Sequence, residues 1–191
     1  MAHPLESAYG LSATEILDAV SKRFRLRAAL EGAVAEVQME RKIQTLLGSI
    51  VARYESHDLD GQPDFSIWLP GIDKPLRAEC KNVRESSKAG GEAYRDGGKL
   101  VAYKVETQKT RASQGDPTSR YYGVDQFDIL GVCMGKKTGK WTDLMFAKVA
   151  DLQRHAKYSN KLAVFQRVPL PTADRLFPWY DDLGKLLSTY Q

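Results

Sequence analysis

The 191-residue chain is poor in cysteine and histidine, with two of the first (Cys80 and Cys133) and three of the second. Two thiols cannot build a disulfide framework or a cysteine-rich zinc site. His57 and His155 have no partners at metal-ligand spacing, so each reads as a surface or capping residue. Long apolar runs are also missing. The longest, Ile129 to Met134, has the length of a strand, whereas a membrane span needs about 20 residues. Met1-Ala2-His3-Pro4 lacks a basic start followed by an apolar stretch, so no secretory signal is expected and a reducing cytoplasm is the expected location. There is no glycine-rich phosphate loop, hence no support for dependence on ATP or NAD. No repeat, low-complexity tract or linker divides the chain, and residues 1–191 are expected to form a single domain.

What is present is enough apolar residue to build a core, 42% of the chain, together with 27% charged residues and a net charge of +4. That balance excludes intrinsic disorder. The charge is concentrated. Lys74 to Tyr121 holds eleven bases against six acids, so this stretch carries the whole excess and the rest is close to neutral. A concentrated basic region suits a polyanionic partner, although solvated surfaces of ordinary domains can be as basic.

Periodicity gives the elements. Ser12-Ala13-Thr14-Glu15 has the form of a capping box and opens a helical pattern. Apolar spacing predicts helices over about 12–22 and 26–48, the second ended by Gly48. After the polar turn 57–63 the period changes to two. Phe65, Ile67 and Leu69 alternate with Ser66 and Trp68; beyond the loop 70–75, Leu76, Ala78 and Cys80 alternate with Arg77, Glu79 and Lys81. This is the pattern of a β-hairpin. Residues 86–98 read as a polar, glycine-rich surface loop, and 100–110 fit a strand or one face of a helix. Strands are expected over 127–134, 141–148 and 162–168, and a helical stretch interrupted by Pro178 closes the chain. Interleaved helices and strands place the fold in the α/β or α+β class, with a central mixed sheet of about five strands flanked by helices.

The hairpin carries the chemistry. Residues two apart on a strand share a face, so Glu79 and Lys81 project together, about 6.5–7 Å apart. If Leu69 pairs with Leu76, Asp64 falls opposite Lys81 and Ser66 opposite Glu79, and Asp64, Glu79 and Lys81 converge at one end of the hairpin. Cys80 points the other way, into the core. Two carboxylates beside an ammonium form a hard-cation site of the kind that suits Mg²⁺, with Mn²⁺ as a substitute. An ordinary surface charge cluster is the competing reading of the same spacing.

Pro63-Asp64, fourteen intervening residues and Glu79-Cys80-Lys81 resemble the PD-(D/E)xK motif of restriction-endonuclease-like nucleases. The preceding helix, the hairpin and the later strands come in that family's order. The motif is short and degenerate; the resemblance covers about residues 30–85 and is architectural beyond them. It implies a restriction-endonuclease-like fold and Mg²⁺-dependent hydrolysis of phosphodiester bonds in DNA. It also implies Asp64 and Glu79 as metal ligands, Lys81 as the catalytic lysine and a supporting glutamate on the helix. Glu36 and Glu40 both match that last position; Glu36 is preferred because Ala33, Val34 and Val37 surround it. Some relatives carry a glutamine after the lysine, and Gln108 is the matching candidate.

Lys109, Arg111, Arg120, Tyr121 and Tyr122 mix bases with aromatics, as nucleic-acid contacts often do, although the tyrosines also fit a core. A single centre per chain would need a homodimer or sequential nicking to cut both strands of a duplex. Two other classes compete: a non-catalytic nucleic-acid-binding module of the same fold, and an unrelated α/β domain whose basic middle binds a protein.

Overall fold

The computed structural model describes residues 3–59, 61–85, 93–109 and 115–191, without the side chain of Pro117. The chain forms two compact units, Met1–Val34 and Ala35–Gln191. The first contains α1 (Pro4–Tyr9), α2 (Ala13–Ser21) and the start of α3 (Phe24–Gln44). Ser12 and Glu15 cap α2 reciprocally, as the sequence predicts. His3 and Glu6 do the same for α1, a helix that its short span hides from periodicity.

In the second unit, Ala35, Met39 and Ile43 recur every four residues on α3 and are fully buried. The helix ends at Gln44, one turn before the expected stop. Gly48, at φ 76°, serves the loop that follows. Six strands then form a mixed sheet: β1 (Arg53–Ser56), β2 (Phe65–Trp68), β3 (Leu76–Asn82), β6 (Ile129–Cys133), β7 (Leu144–Lys148) and β9 (Trp179–Tyr180). They lie side by side in that order, and β3 and β6 run parallel. Alternation on β2 and β3 sends Phe65, Ile67, Ala78 and Cys80 into one core with α3 and with α5 (Leu183–Leu187). The single helical turn α4 (Gly135–Thr138) replaces the expected turn before β7.

A second sheet was not foreseen. Strands β4 (Ala93–Asp96), β5 (Lys99–Glu106) and β8 (Phe165–Pro169) form an antiparallel sheet in the order β4-β5-β8. Val105 and Val168 join a second core with Val83, Leu130 and Val132 from the other face of the large sheet. The architecture is therefore α+β, with helices on one face of the six-stranded sheet and the small sheet on the other. Ala93–Asp96 corrects the reading of 86–98 as a loop, and residues 86–92 lie outside the described residues. Among the described residues, no helix is long and apolar enough to cross a membrane.

The seam between α3 and the sheet is tight. A Cβ on Gly131 would lie 2.7 Å from the Met39 sulfur, which explains a glycine in the middle of β6. Met39→Ala, which empties this fully buried contact, is expected to cost about 2–5 kcal/mol in urea unfolding. A loss well below that range would show that α3 is not anchored here.

Candidate active site

The hairpin forms, but in a different register. Phe65 pairs with Ala78, Ser66 with Arg77 and Ile67 with Leu76. One further step on this ladder places Asp64 opposite Glu79, not Lys81, and Ser66 is opposite Arg77, not Glu79. The shift has a packing cause: Leu69 leaves the ladder and buries its side chain in the core. The ladder thus closes earlier and the connection is longer than the sequence pattern predicts.

The convergence survives the shift. Beyond the last β2–β3 pair, the Cys80 N–H donates to Asp64 Oδ2 at 2.6 Å, so the aspartate side chain supplies the acceptor where the paired strand has ended. Cys80 itself is buried in the core, as expected. Glu79 is 6% exposed, and the Lys81 ammonium donates to its Oε1. The Tyr122 hydroxyl donates to the same oxygen at 2.6 Å, and the Lys81 nitrogen lies 5.5 Å from the centre of the Tyr122 ring.

Burial, and after it the Glu79 charge, push the Asp64 carboxyl up to about 7, against the pull of Lys81 and of the Cys80 N–H. For Lys81, burial works against the charged form, but Glu79, Tyr122 and Asp64 outweigh it and the pKa rises. Lys81 is therefore a fixed cation and hydrogen-bond donor, not a base. Burial also raises the Tyr122 hydroxyl, which stays protonated as a donor.

The two helix glutamates separate. Partial burial raises the pKa of Glu36, and its carboxyl senses Lys81, Glu79 and Asp58. Glu40 instead accepts from the Tyr54 hydroxyl at 3.0 Å. His57 has its Nε2 2.9 Å from the hydroxyl of Ser66, and its backbone N–H donates to the Asp64 carbonyl.

Among the candidate nucleic-acid contacts, Gln108 forms a bridge with Tyr121, and its amide donates to Glu106. The Lys109 N–H donates to the Arg120 carbonyl at 2.7 Å, and the Lys109 ammonium lies 5.9 Å from the Tyr122 ring centre. Lys109 thus lies beside Tyr122 and is hydrogen-bonded to Arg120, while Arg111 lies outside the described residues. Tyr122 is the site residue that sequence reasoning passed over in favour of a core role. It has both roles, since its ring also meets Phe127 edge-on at 5.2 Å.

Among the described residues, no three His, Cys, Asp or Glu side chains are gathered into a cage for an ion. The donor set nevertheless fits a hard cation that keeps waters and takes further oxygens from phosphate. The Glu79 charge lies close enough to Asp64 to oppose the ionisation of Asp64. Among the described residues, no hydrogen bond reaches Asp64 Oδ1 or Glu79 Oε2.

The raised Asp64 pKa fixes the sign of a pH effect. An unfolded aspartate titrates near 3.9, so this group's contribution to stability is full below about pH 4 and is lost as the pH rises through about 7. Asp64→Asn keeps an acceptor for the Cys80 N–H and removes the repulsion. In metal-free buffer it should melt above the wild type at pH 8, with the gap narrowing at pH 5. A variant that melts lower at pH 8 would show that the two carboxylates do not oppose each other.

No protein-family model matches the chain, and no curated protein matches its sequence. Among solved structures, a bacterial homing endonuclease is similar over 77% of this chain and 80% of its own, at 18% identity and a TM-score of 0.45.

Proposed function

We propose that the chain is a Mg²⁺-dependent endonuclease of the restriction-endonuclease-like class, hydrolysing phosphodiester bonds in DNA. The observation that carries this reading is the crowding of Asp64 against Glu79 beside a lysine held in its charged form. A partly buried Asp64 that resists ionisation beside the nearly buried Glu79 forms a site whose electrostatics a divalent cation would relieve. Asp64 and Glu79 would hold it, with Mn²⁺ as a substitute. When bound, such an ion neutralises charge developing on a phosphate and lowers the pKa of bound water.

The chain's own groups do the rest. Lys81 presents its ammonium to the attacking water and the non-bridging phosphate oxygens, where negative charge grows. The Tyr122 hydroxyl and Lys81 together hold one oxygen of Glu79 and so fix the orientation of its carboxylate. Glu36 supports the same centre through the charges it shares with Lys81 and Glu79. Lys109 and Arg120, with Gln108, would steady the flanking backbone. With one centre per chain, cutting both strands takes two chains or two successive nicks.

Incubation with supercoiled plasmid and Mg²⁺ tests the reading, the expected product being nicked or linear DNA. Lys81→Ala should slow conversion by about a hundredfold or more while leaving DNA affinity nearly intact. Tyr122→Phe should cost about tenfold to a hundredfold, as loss of a ligand-orienting bond does. If the wild type shifts the plasmid in a gel without converting it under any divalent ion, the chain is a binding module and the catalytic assignment fails.

A further inference from the structure

The outer face of the small sheet pairs cations with aromatic rings. Lys104 lies across from Arg167 and Glu106 across from Phe165, on the side opposite Val105, Gln166 and Val168, which are buried. The Lys104 nitrogen lies 4.9 Å from the Tyr94 ring centre and 5.9 Å from that of Phe165. The Arg167 guanidinium is 5.5 Å from Tyr94, and that of Arg84 is 5.1 Å from Phe165. Two rings thus each lie under two cations, Lys104 being shared. Among the described residues, Glu106 is an acid on this face, and it is paired with Arg84 at 3.0 Å.

The face is joined to the candidate active site. Val83 bridges Val105, and the Arg84 N–H donates to the Lys104 carbonyl at 2.7 Å, so the chain leaving β3 runs into β5. Arg84 follows Lys81 by three residues, roughly 10 Å of extended chain. A duplex lying over Lys81 would cover both places within one helical turn, about 34 Å.

We infer that this face holds the phosphodiester backbone of duplex DNA beside the point of cleavage, with Lys104, Arg167 and Arg84 as its phosphate contacts; the inference rests on the nuclease reading. The rings decide between backbone and bases. A base stacks on an open aromatic face, but Tyr94 and Phe165 are already covered by cations. Their function is to hold long, flexible side chains against the sheet, which reduces the entropy lost when those cations meet phosphate. Binding at this face is therefore independent of sequence, steeply dependent on salt and stronger for duplex than for single strand.

The test measures anisotropy of a labelled short duplex and of its single strand against NaCl concentration, in EDTA so that nothing is cut. Each phosphate contact adds about 0.9 to the slope of log K against log salt for a duplex. Lys104→Gln/Arg167→Gln should lower that slope by nearly 2, and Arg167→Gln alone, at an exposed position, by nearly 1. Lys140→Gln/Lys157→Gln removes the same net charge at exposed positions elsewhere and should leave the slope unchanged. Circular dichroism checks that each variant is folded.

An unchanged slope in both face variants overturns the inference. An equal drop in the Lys140/Lys157 control does the same, as does tighter binding of single strand that Tyr94→Leu abolishes. The two readings fail separately. If the wild type binds duplex through this face but never converts plasmid, the nuclease reading falls and the surface stands. If plasmid is cut and the face variants keep both slope and KM, the surface alone falls.

Discussion

Asp64 and Glu79 meet where one strand of a hairpin stops and its neighbour runs on, and the rest of the site follows from that mismatch in length. β2 begins only at Phe65, so the Cys80 N–H takes its acceptor from the Asp64 side chain, which brings that carboxylate against the peptide beside Glu79. One ammonium, Lys81, sits among these acids, with Glu36 close enough to sense it. In water such a cluster would cost little. Where Glu79 is nearly buried, like charges interact several times more strongly and one acid is driven toward its neutral form. The arrangement is held by neighbours with no part in the chemistry: Cys80 locked in the core, β6 paired with β3 from Ala78 to Asn82, and Met39 over Gly131. A rigid frame maintains an electrostatic conflict that a chain free to relax would dissolve, which is characteristic of sites built to receive a charged ligand.

Much of this was legible in the sequence, and what escaped did so for local reasons. The alternation of Phe65 and Ile67, and of Leu76, Ala78 and Cys80, identified the hairpin because one of its faces is buried and the other is not. The register shifted because Leu69, apolar and in phase, continues the strand pattern on paper while its side chain serves the core from the connecting loop. The second sheet stayed hidden for the opposite reason. Ala93-Tyr94-Arg95-Asp96 lies on an outer face and reads as polar loop, and β5 alternates a buried Val105 with Lys104 and Glu106, a period that a helix face also satisfies. Glu36 and Glu40, one turn apart, could be ranked only by neighbouring apolar residues; Tyr54, whose hydroxyl donates to Glu40, lies on another element. Tyr122 is 43 residues from Glu79 in sequence, and no periodicity links them.

The parallel pairing of β3 with β6 ties these observations together. Parallel neighbours cannot be joined by a tight turn; the chain must cross over the sheet before the second strand begins. Here the crossover is the stretch between Asn82 and Ile129, and it passes over the face that bears Glu79 and Lys81 rather than the face covered by α3. It supplies β4 and β5, the Gln108–Tyr121 bridge with Lys109 and Arg120 beside it, and Tyr122. Between Asn82 and Ile129 the sequence holds eight bases against seven acids, so the segment is nearly neutral as a whole and its cations count by position. Lys109 and Arg120 are thus brought beside Tyr122 by the same connection that makes the parallel pair possible, and Tyr122 fastens that connection to Glu79. Its ring packs on Phe127 in the second core while its hydroxyl holds Glu79. Glu79 of β3 is in this way set beside Lys109, Arg120 and Tyr122 of the crossover, an arrangement that follows from strand order before any single contact is considered.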